Sequence, residues 1–318
     1  MGDSDPRDVI LIMGPTASGK TDLALSLAQR FPVALISVDS AMVYRGMDIG
    51  TGKPDPVTLA RYPHALVDIR DPAEAYSAGL FRSDAIAHIE AAIQQGRVPV
   101  LVGGTMLYFR ALTQGLAELP AADPAVREHI DAEAAQHGWP ALHAQLASID
   151  PVAAARIQPN DRQRIQRALE VHRISGRTLT DLHLAARAQR LPYRFHSYAW
   201  TLAEREQLYA RIEQRFTQMM SRGLLDEVSA LYRRGDLHPQ LPAIRSVGYR
   251  QLWEHLAGSY PLEESVRRAI LATRHLARRQ LIWLRGLREI NWLDALELTA
   301  ADDIYRCIEG ARADLFKH

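Results

Sequence analysis

Four apolar runs mark the first 115 residues: Val9-Ile10-Leu11-Ile12-Met13, then 33–38, 65–69 and 98–102. Each is continuous rather than alternating, as expected of strands covered on both faces in a parallel sheet. A helix-spaced stretch at 77–95 lies between two of them. This alternation predicts an open α/β sheet, with ligands bound beyond the carboxyl ends of its strands. From about Gly115 the spacing turns helical, over 123–136, 140–148, 160–175 and 179–187. Asp123-Pro124 opens the first of these as an N-cap followed by proline at the first helical position. A strand-like run returns at 195–202, and helical patterns follow at 203–222, 225–233, 247–256 and 261–287. The expected organisation is an α/β core from 1–116 and 195–318, interrupted by an all-helical insertion at 117–194.

The first apolar run leads into Gly14-Pro15-Thr16-Ala17-Ser18-Gly19-Lys20-Thr21 and then a helical stretch, 22–31. Strand, G-x-x-x-x-G-K-[ST] and helix form a phosphate-binding loop, so the core is expected to be a P-loop NTPase-like parallel sheet. Backbone N–H groups converge on a diphosphate or triphosphate, Lys20 adds a point charge, and Thr21 offers a hydroxyl to Mg²⁺. Two further strand ends carry chemistry. Asp39 closes the second run, where a carboxylate either binds Mg²⁺, acts as a general base or caps the following turn. Thr105 follows Gly103-Gly104 and either bonds a bridging phosphate oxygen or caps the next helix.

Composition adds partners and setting. Hydrophobic residues make up 47% of the chain, which excludes a disordered protein, and no apolar stretch approaches a membrane span. A lone cysteine, Cys307, excludes an internal disulfide and fits a reducing cytoplasm, the expected location. The net charge of +1 hides a division: residues 1–150 carry 11 basic and 18 acidic side chains, 151–290 carry 24 and 13, and 291–318 carry 3 and 6. A basic middle between acidic ends points to a polyanionic partner or to an Arg-rich solvated surface. Lysine occurs only at Lys20, Lys53 and Lys317, and two of these fall in candidate phosphate loops. Helical spacing puts Gln163, Arg164 and Arg167 on one face, and Arg267, Arg274, Arg278 and Arg285 in one stripe. Such a stripe calls for phosphates or carboxylates to neutralise it.

Taken together, GPTASGKT at 14–21, DSAMVYRGMDIGTGKP at 39–54, GGTMLY at 103–108, QRIQR at 163–167, RSVGYRQ at 245–251 and TRHLARRQLIWLR at 273–285 resemble the tRNA dimethylallyltransferase (tRNA isopentenyltransferase) family. The chain departs from the family in having Met42 where many members have Gln, and Thr51-Gly52-Lys53-Pro54 for Thr-Ala-Lys-Pro. The resemblance implies Mg²⁺-dependent transfer of a dimethylallyl group from dimethylallyl diphosphate to N6 of adenosine 37, 3′ to the anticodon, in tRNAs reading codons that begin with U. It implies Asp39 as general base, Thr105 and residues 14–21 on the diphosphate, and Arg215 as a further diphosphate ligand. It also implies tRNA contacts at Asp39, Ser40, Ala41, Met42, Thr105, Arg127, Gln163, Arg164, Ile165, Gln166 and Arg167. Further contacts are implied at Arg245, Ser246, Val247, Gly248, Tyr249, Arg250, Arg274 and Arg278. The competing readings are a prenyltransferase of free adenine nucleotides, an ATP-dependent small-molecule kinase and a non-catalytic tRNA-binding protein. The insertion and the basic middle argue against the first, the Gln/Arg segments that a kinase would not require argue against the second, and the joint presence of Lys20, Asp39 and Thr105 argues against the third.

Overall fold

The computed structural model describes residues 6–115, 119–187 and 191–315. The expected insertion start at 117, the acidic residues before Pro6 and Lys317 lie outside them. The chain forms two compact units, one from Met1–Phe109 with Pro192–His318 and one from Arg110–Leu191.

In the first unit a six-stranded parallel sheet has the order β3-β2-β4-β1-β5-β6. Its strands are β1 (Arg7–Met13), β2 (Val33–Val38), β3 (His64–Ala65), β4 (Val98–Gly103), β5 (Tyr193–Thr201) and β6 (Asn291–Asp294). Helices α1 (Lys20–Arg30), α2 (Pro56–Arg61), α3 (Ala78–Gln94) and α4 (Met106–Gln114) alternate with the early strands. Ile10 and Ile12 of β1 pack with Leu23, Ala24 and Leu27 of α1. The alternate residues Val9 and Leu11 are equally buried, and α3 covers that side of the sheet through β2 and β4. Burial on both faces is why the strands read as unbroken apolar runs. Register fixes the site: Met13 pairs with Gly103 and Gly103 with Val38, so the three central strands end on one level. A Cβ on Gly103 would lie 2.0 Å from the Val38 carbonyl oxygen, so only glycine permits that pairing.

The second unit is helical: α5 (Pro124–His137), α6 (Trp139–Ile149), α7 (Pro151–Ala154), α8 (Arg162–Ser175) and α9 (Leu179–Arg187) follow the end of α4. Asp123 caps α5 by accepting from Ala125 and Val126 N–H, and Asp161 caps α8 by accepting from Arg164 N–H. Ile130, Leu142, Leu146, Ile165 and Leu169 form its core. Each such burial contributes roughly 1.5–3 kcal/mol. The rest of the first unit is α10 (Arg205–Ser221), α11 (Leu224–Tyr232), α12 (Tyr249–Leu256), α13 (Leu262–Arg285) and α14 (Asp302–Leu315).

Three elements depart from the sequence pattern. The strand expected at 65–69 stops at Ala65, because Leu66 and Asp68 take left-handed φ of 65° and 57° and the chain turns. β6 carries no apolar run, since it is a four-residue edge strand with Asn291 and Trp292 exposed. α14 did have a signal, Ile304, Ile308 and Ala311 at helical spacing, and these residues bury against the sheet core.

Glu170 of α8 is fully buried and accepts from Arg127, Arg167 and the Asp123 N–H. Burial alone raises a carboxyl pKa, but the hydrogen bonds from Arg127, Arg167 and Asp123 outweigh it and leave Glu170 below its ordinary value. A lowered folded-state pKa contributes stability above the unfolded value near 4.5, lost as pH falls through the folded one. Glu170→Gln is expected to cost about 1–3 kcal/mol at neutral pH by leaving two arginines underpaired. Urea melts from pH 7 down to pH 3 are expected to show the gap to wild type closing below pH 4.5. An equal gap throughout would contradict this account.

Candidate active site

Beyond the level row formed by Met13, Gly103 and Val38, the next residues are Gly14, Gly104 and Asp39. The sheet therefore delivers the phosphate loop, the Gly-Gly-Thr turn and the acid to one edge. Gly14 passes so close to β5 that a Cβ would meet the Trp200 carbonyl oxygen at 2.2 Å. Ala17 and Gly19 take left-handed φ of 65° and 89°, curling the loop around the N-terminus of α1. The Lys20 ammonium folds back to donate to the Pro15 carbonyl (2.5 Å) and the Ser18 hydroxyl (3.4 Å). Burial, then the Arg215 charge, lowers its pKa to about 7, while Asp39 pulls the other way. A cation so poorly hydrated gains more from an arriving anion than an exposed lysine does.

Asp39 and Thr105 line one cavity of about 620 Å³ together with Thr16, Ala17, Arg215 and residues of α13. Asp39 Oδ1 accepts from Ala41 N–H (2.8 Å) and Met42 N–H (3.2 Å), which locks the carboxylate in place and engages only one of its oxygens. The Thr105 hydroxyl accepts from Ser40 N–H (3.0 Å) and so ties the Asp39 turn to the β4 turn. Arg215 of α10 donates to the Thr16 hydroxyl (3.4 Å) and the Thr51 carbonyl (3.2 Å). It also lines a second cavity of about 490 Å³ that holds Lys20, Thr21, Arg211 and Arg222.

Three supporting residues were missed by the sequence reading or given another role by it. Glu227 of α11 accepts from Asp48, Ile49 and Gly50 N–H groups and from the Tyr249 hydroxyl (2.5 Å). This carboxylate holds the 48–52 turn against Arg215. Burial and the Glu227 charge raise the Tyr249 pKa, keeping the phenol a donor. Gln280 of α13 bonds both the phosphate loop and the β4 turn. Glu227 lies in no motif, and Gln280, though inside the 273–285 stretch, carries no local signal of its role, because each meets partners far away in the chain. Lys53, the third, had been a phosphate candidate. Its buried ammonium instead donates to the Tyr44 carbonyl, Asp48 and Asp68, so it anchors the loop.

The remaining expected residues separate. Ser40, Ala41, Arg245, Ser246, Val247 and Tyr249 line the larger cavity, whereas Gly248, Arg250 and Met42 do not. The Met42 sulfur lies 3.9 Å from the Ser37 hydroxyl. In the helical unit Gln163 and Gln166 border a shallow groove, while Ile165 is fully buried and has no side chain to offer a ligand. Arg127 and Arg167 converge on Glu170, and Arg164 pairs with Asp161 on its own helix. The arginine stripe on α13 is half neutralised: Arg267 pairs with Glu264 and Arg274 with Glu213, while Arg278 and Arg285 are exposed beside Trp292 with no acid lining that cleft.

Among the described residues no cluster of three or more His, Cys, Asp or Glu side chains is arranged for a metal. The Thr21 hydroxyl, in the smaller cavity, and the second Asp39 oxygen, in the larger, are hard donors with no hydrogen bond among the described residues. A sparse oxygen set beside a phosphate cradle suits Mg²⁺, which takes one or two protein ligands and completes its shell with water and substrate phosphates.

Comparison with known proteins bears on this geometry. A model of the IPP transferase family matches residues 42–287. The chain is 55% identical over 312 residues to tRNA dimethylallyltransferase 2 of Hahella chejuensis, covering 94% of each chain. Among solved structures it is similar to a full-length tRNA isopentenylpyrophosphate transferase of Bacillus halodurans (36% identity, 98% of each chain, TM-score 0.71). It is also similar to a eukaryotic dimethylallyltransferase acting on tRNA (26% identity, 95% of this chain and 78% of that one, TM-score 0.76). With its phosphate loop, acid and Gly-Gly-Thr turn gathered on one sheet edge, the chain belongs to the IPP transferase family.

Proposed function

We propose that this chain transfers a dimethylallyl group from dimethylallyl diphosphate to N6 of adenosine 37 in tRNAs reading codons that begin with U. The observation that carries the reading is the single cavity shared by the phosphate loop, Asp39 and Thr105. The donor's diphosphate lies in the cradle of loop N–H groups, with Lys20 and Arg215 on its oxygens. The target adenine leaves its stack and enters beside Asp39, at a cost of a few kcal/mol that phosphate contacts elsewhere offset. The N6 lone pair is delocalised into the ring and is a weak nucleophile. As N6 attacks the allylic carbon, the carbon–oxygen bond to diphosphate breaks and the free Asp39 oxygen takes the N6 proton. Charge accumulates on the departing diphosphate, where Lys20, Arg215 and the loop amides stabilise it. Thr105, fixed by Ser40, reaches a diphosphate oxygen at the boundary between the two substrates. Mg²⁺ bound with the diphosphate would be held by the Thr21 hydroxyl and would supply further neutralisation of that leaving group, which leaves the free Asp39 oxygen to take the proton.

Exposed arginines on α8 and α13 meet tRNA phosphates in this reading, and a cytoplasmic location follows from the substrate. A free adenine nucleotide would need neither the helical unit nor Arg278 and Arg285. An ATP-dependent small-molecule kinase would share the phosphate loop and have use for a base, but nothing in it would require the Gln/Arg segments at 163–167 and 245–251. Incubation with labelled dimethylallyl diphosphate or labelled ATP, offering tRNA or AMP as acceptor, is expected to label tRNA with prenyl alone. Phosphoryl transfer from ATP, or prenylation of AMP in preference to tRNA, would overturn the reading.

Asp39→Asn retains the shape and loses the base, so single-turnover prenylation is expected to slow by about 10²–10⁴-fold with tRNA affinity little changed. A near-wild-type rate would remove Asp39 from this role. For Lys20, a pKa near 7 in the free protein rises when diphosphate binds, so binding takes up a proton above pH 7. Calorimetry of pyrophosphate binding at pH 8, in two buffers of different ionisation enthalpy, is expected to show an uptake that Lys20→Met lacks. On tRNA, Arg164→Ala and Arg278→Ala are each expected to flatten the slope of log K against log salt by about one unit. Arg167→Ala is expected chiefly to lower the melting temperature, since its guanidinium serves Glu170. The reverse pattern would move the phosphate contacts to Arg167.

A further inference from the structure

The side-chain amide of Gln280 links two loops that the sheet itself leaves unconnected. Its Oε1 accepts from the Thr16 N–H at 2.9 Å, and its Nε2 donates to the Gly104 carbonyl at 2.8 Å. Thr16 lies within the phosphate loop, and Gly104 directly precedes Thr105. The assignment of oxygen and nitrogen is forced, because one partner only donates and the other only accepts. Gln280 is 8% exposed, so neither bond is readily replaced by water. The fit is tight: a Cβ on Gly104 would stand 2.4 Å from the amide nitrogen. Thr16 is shared again, since its hydroxyl accepts from Arg215. One amide thus ties the diphosphate cradle to the turn that carries Thr105, and Thr105 in turn holds Ser40 beside Asp39.

We propose that Gln280 is a positioning residue that sets the spacing between the diphosphate cradle and the Asp39–Thr105 pair. This inference rests on the prenyl-transfer reading above. The reaction joins two substrates held on separate loops, so their rate depends on the distance between those loops. Displacements near 1 Å cost about 10²-fold in such reactions. Neither a charged nor an apolar side chain of this size makes both bonds. A glutamate keeps the acceptor for Thr16 but faces the Gly104 carbonyl oxygen with a second acceptor and puts negative charge beside the diphosphate. Leucine or methionine loses both bonds and leaves a buried N–H and C=O unpaired. The position on α13 has a second consequence. Thr273, Leu276, Arg279 and Trp283 of that helix line the same cavity, and Arg278 directly precedes Arg279 on it. A tRNA that presses on α13 therefore bears on the phosphate loop through Gln280.

The test compares wild type with Gln280→Met and Gln280→Glu, using three readouts. Pyrophosphate binding by calorimetry, in the absence of tRNA, is expected to weaken about 10-fold in Gln280→Met and further in Gln280→Glu. Single-turnover prenylation at saturating tRNA and donor is expected to fall about 10–100-fold in both, with KM for tRNA within about twofold of wild type. Melting temperatures are expected to fall by several degrees with the variants still folded at the assay temperature, since the methionine keeps the packing volume but leaves an N–H and a C=O unpaired. A wild-type rate in Gln280→Met, a loss confined to KM for tRNA, or a rate loss that only parallels unfolding would each overturn the proposal. Pyrophosphate binding separates this failure from that of the underlying reading. If wild type binds pyrophosphate and transfers no prenyl group to tRNA, the reading fails. If wild type is active and pyrophosphate binds the variants unchanged, the positioning role fails.

Discussion

The paired ends of β1, β4 and β2 are the constraint on which the site depends. With Met13, Gly103 and Val38 in one row, hydrogen bonding of the sheet sets the origins of three loops to one level before any side chain of the site is considered. That row requires glycine at 103, where the Val38 carbonyl occupies the space of a Cβ. The cost of glycine in a strand, roughly 0.5–1 kcal/mol, is offset by apolar cover on both sheet faces. A shift of one residue between β4 and either neighbour would move Thr105 about 3.3 Å away and turn its side chain to the other face.

Around this frame, charges are held by long-range hydrogen bonds rather than by local sequence. Lys20 and Arg215 stand near one another in a buried setting, where their mutual repulsion is offset in part by Asp39 and, for Arg215, by Asp22. A site built in this way stores affinity for an anion and releases it when a diphosphate arrives. Keeping two cations together needs a stiff scaffold. Glu227 supplies one part by collecting three backbone N–H groups of the 48–50 turn, Lys53 supplies another from beneath it, and Gln280 joins the loops across the cavity.

The helical unit follows a different rule. Its core is a small apolar cluster, and its polar interior holds two buried carboxylates, Glu170 with two arginines and Asp150, which accepts from Thr180 and the Ala153 N–H. Arginines that look alike on a helical wheel therefore have different duties. Arg167 and Arg127 serve Glu170, Arg164 reaches only its own cap, and Arg278 with Arg285 faces solvent without an acid. Charge counting identified the basic region, and only the packing divided it into structural and available cations.

Much of this was legible in the chain because it is encoded by local chemistry. The phosphate loop is a contiguous motif, the strands are apolar runs, and Asp123 and Asp161 announce helices three residues at a time. Asp39 and Thr105 were recognisable as residues ending two such strands. What neighbours cannot encode was left to the tertiary structure. β6 pairs through its backbone alone, and Leu66 and Asp68 turn a run of β-prone residues away from the sheet. Ile165 sits inside a motif that resembles an RNA contact and is consumed by the core. Gln280, 264 positions from Thr16 in sequence, acquires its partners only when α13 crosses the sheet edge. Local propensity and motif chemistry act over a few residues, whereas the spacing of a two-substrate site is set by contacts that exist only after the chain has folded.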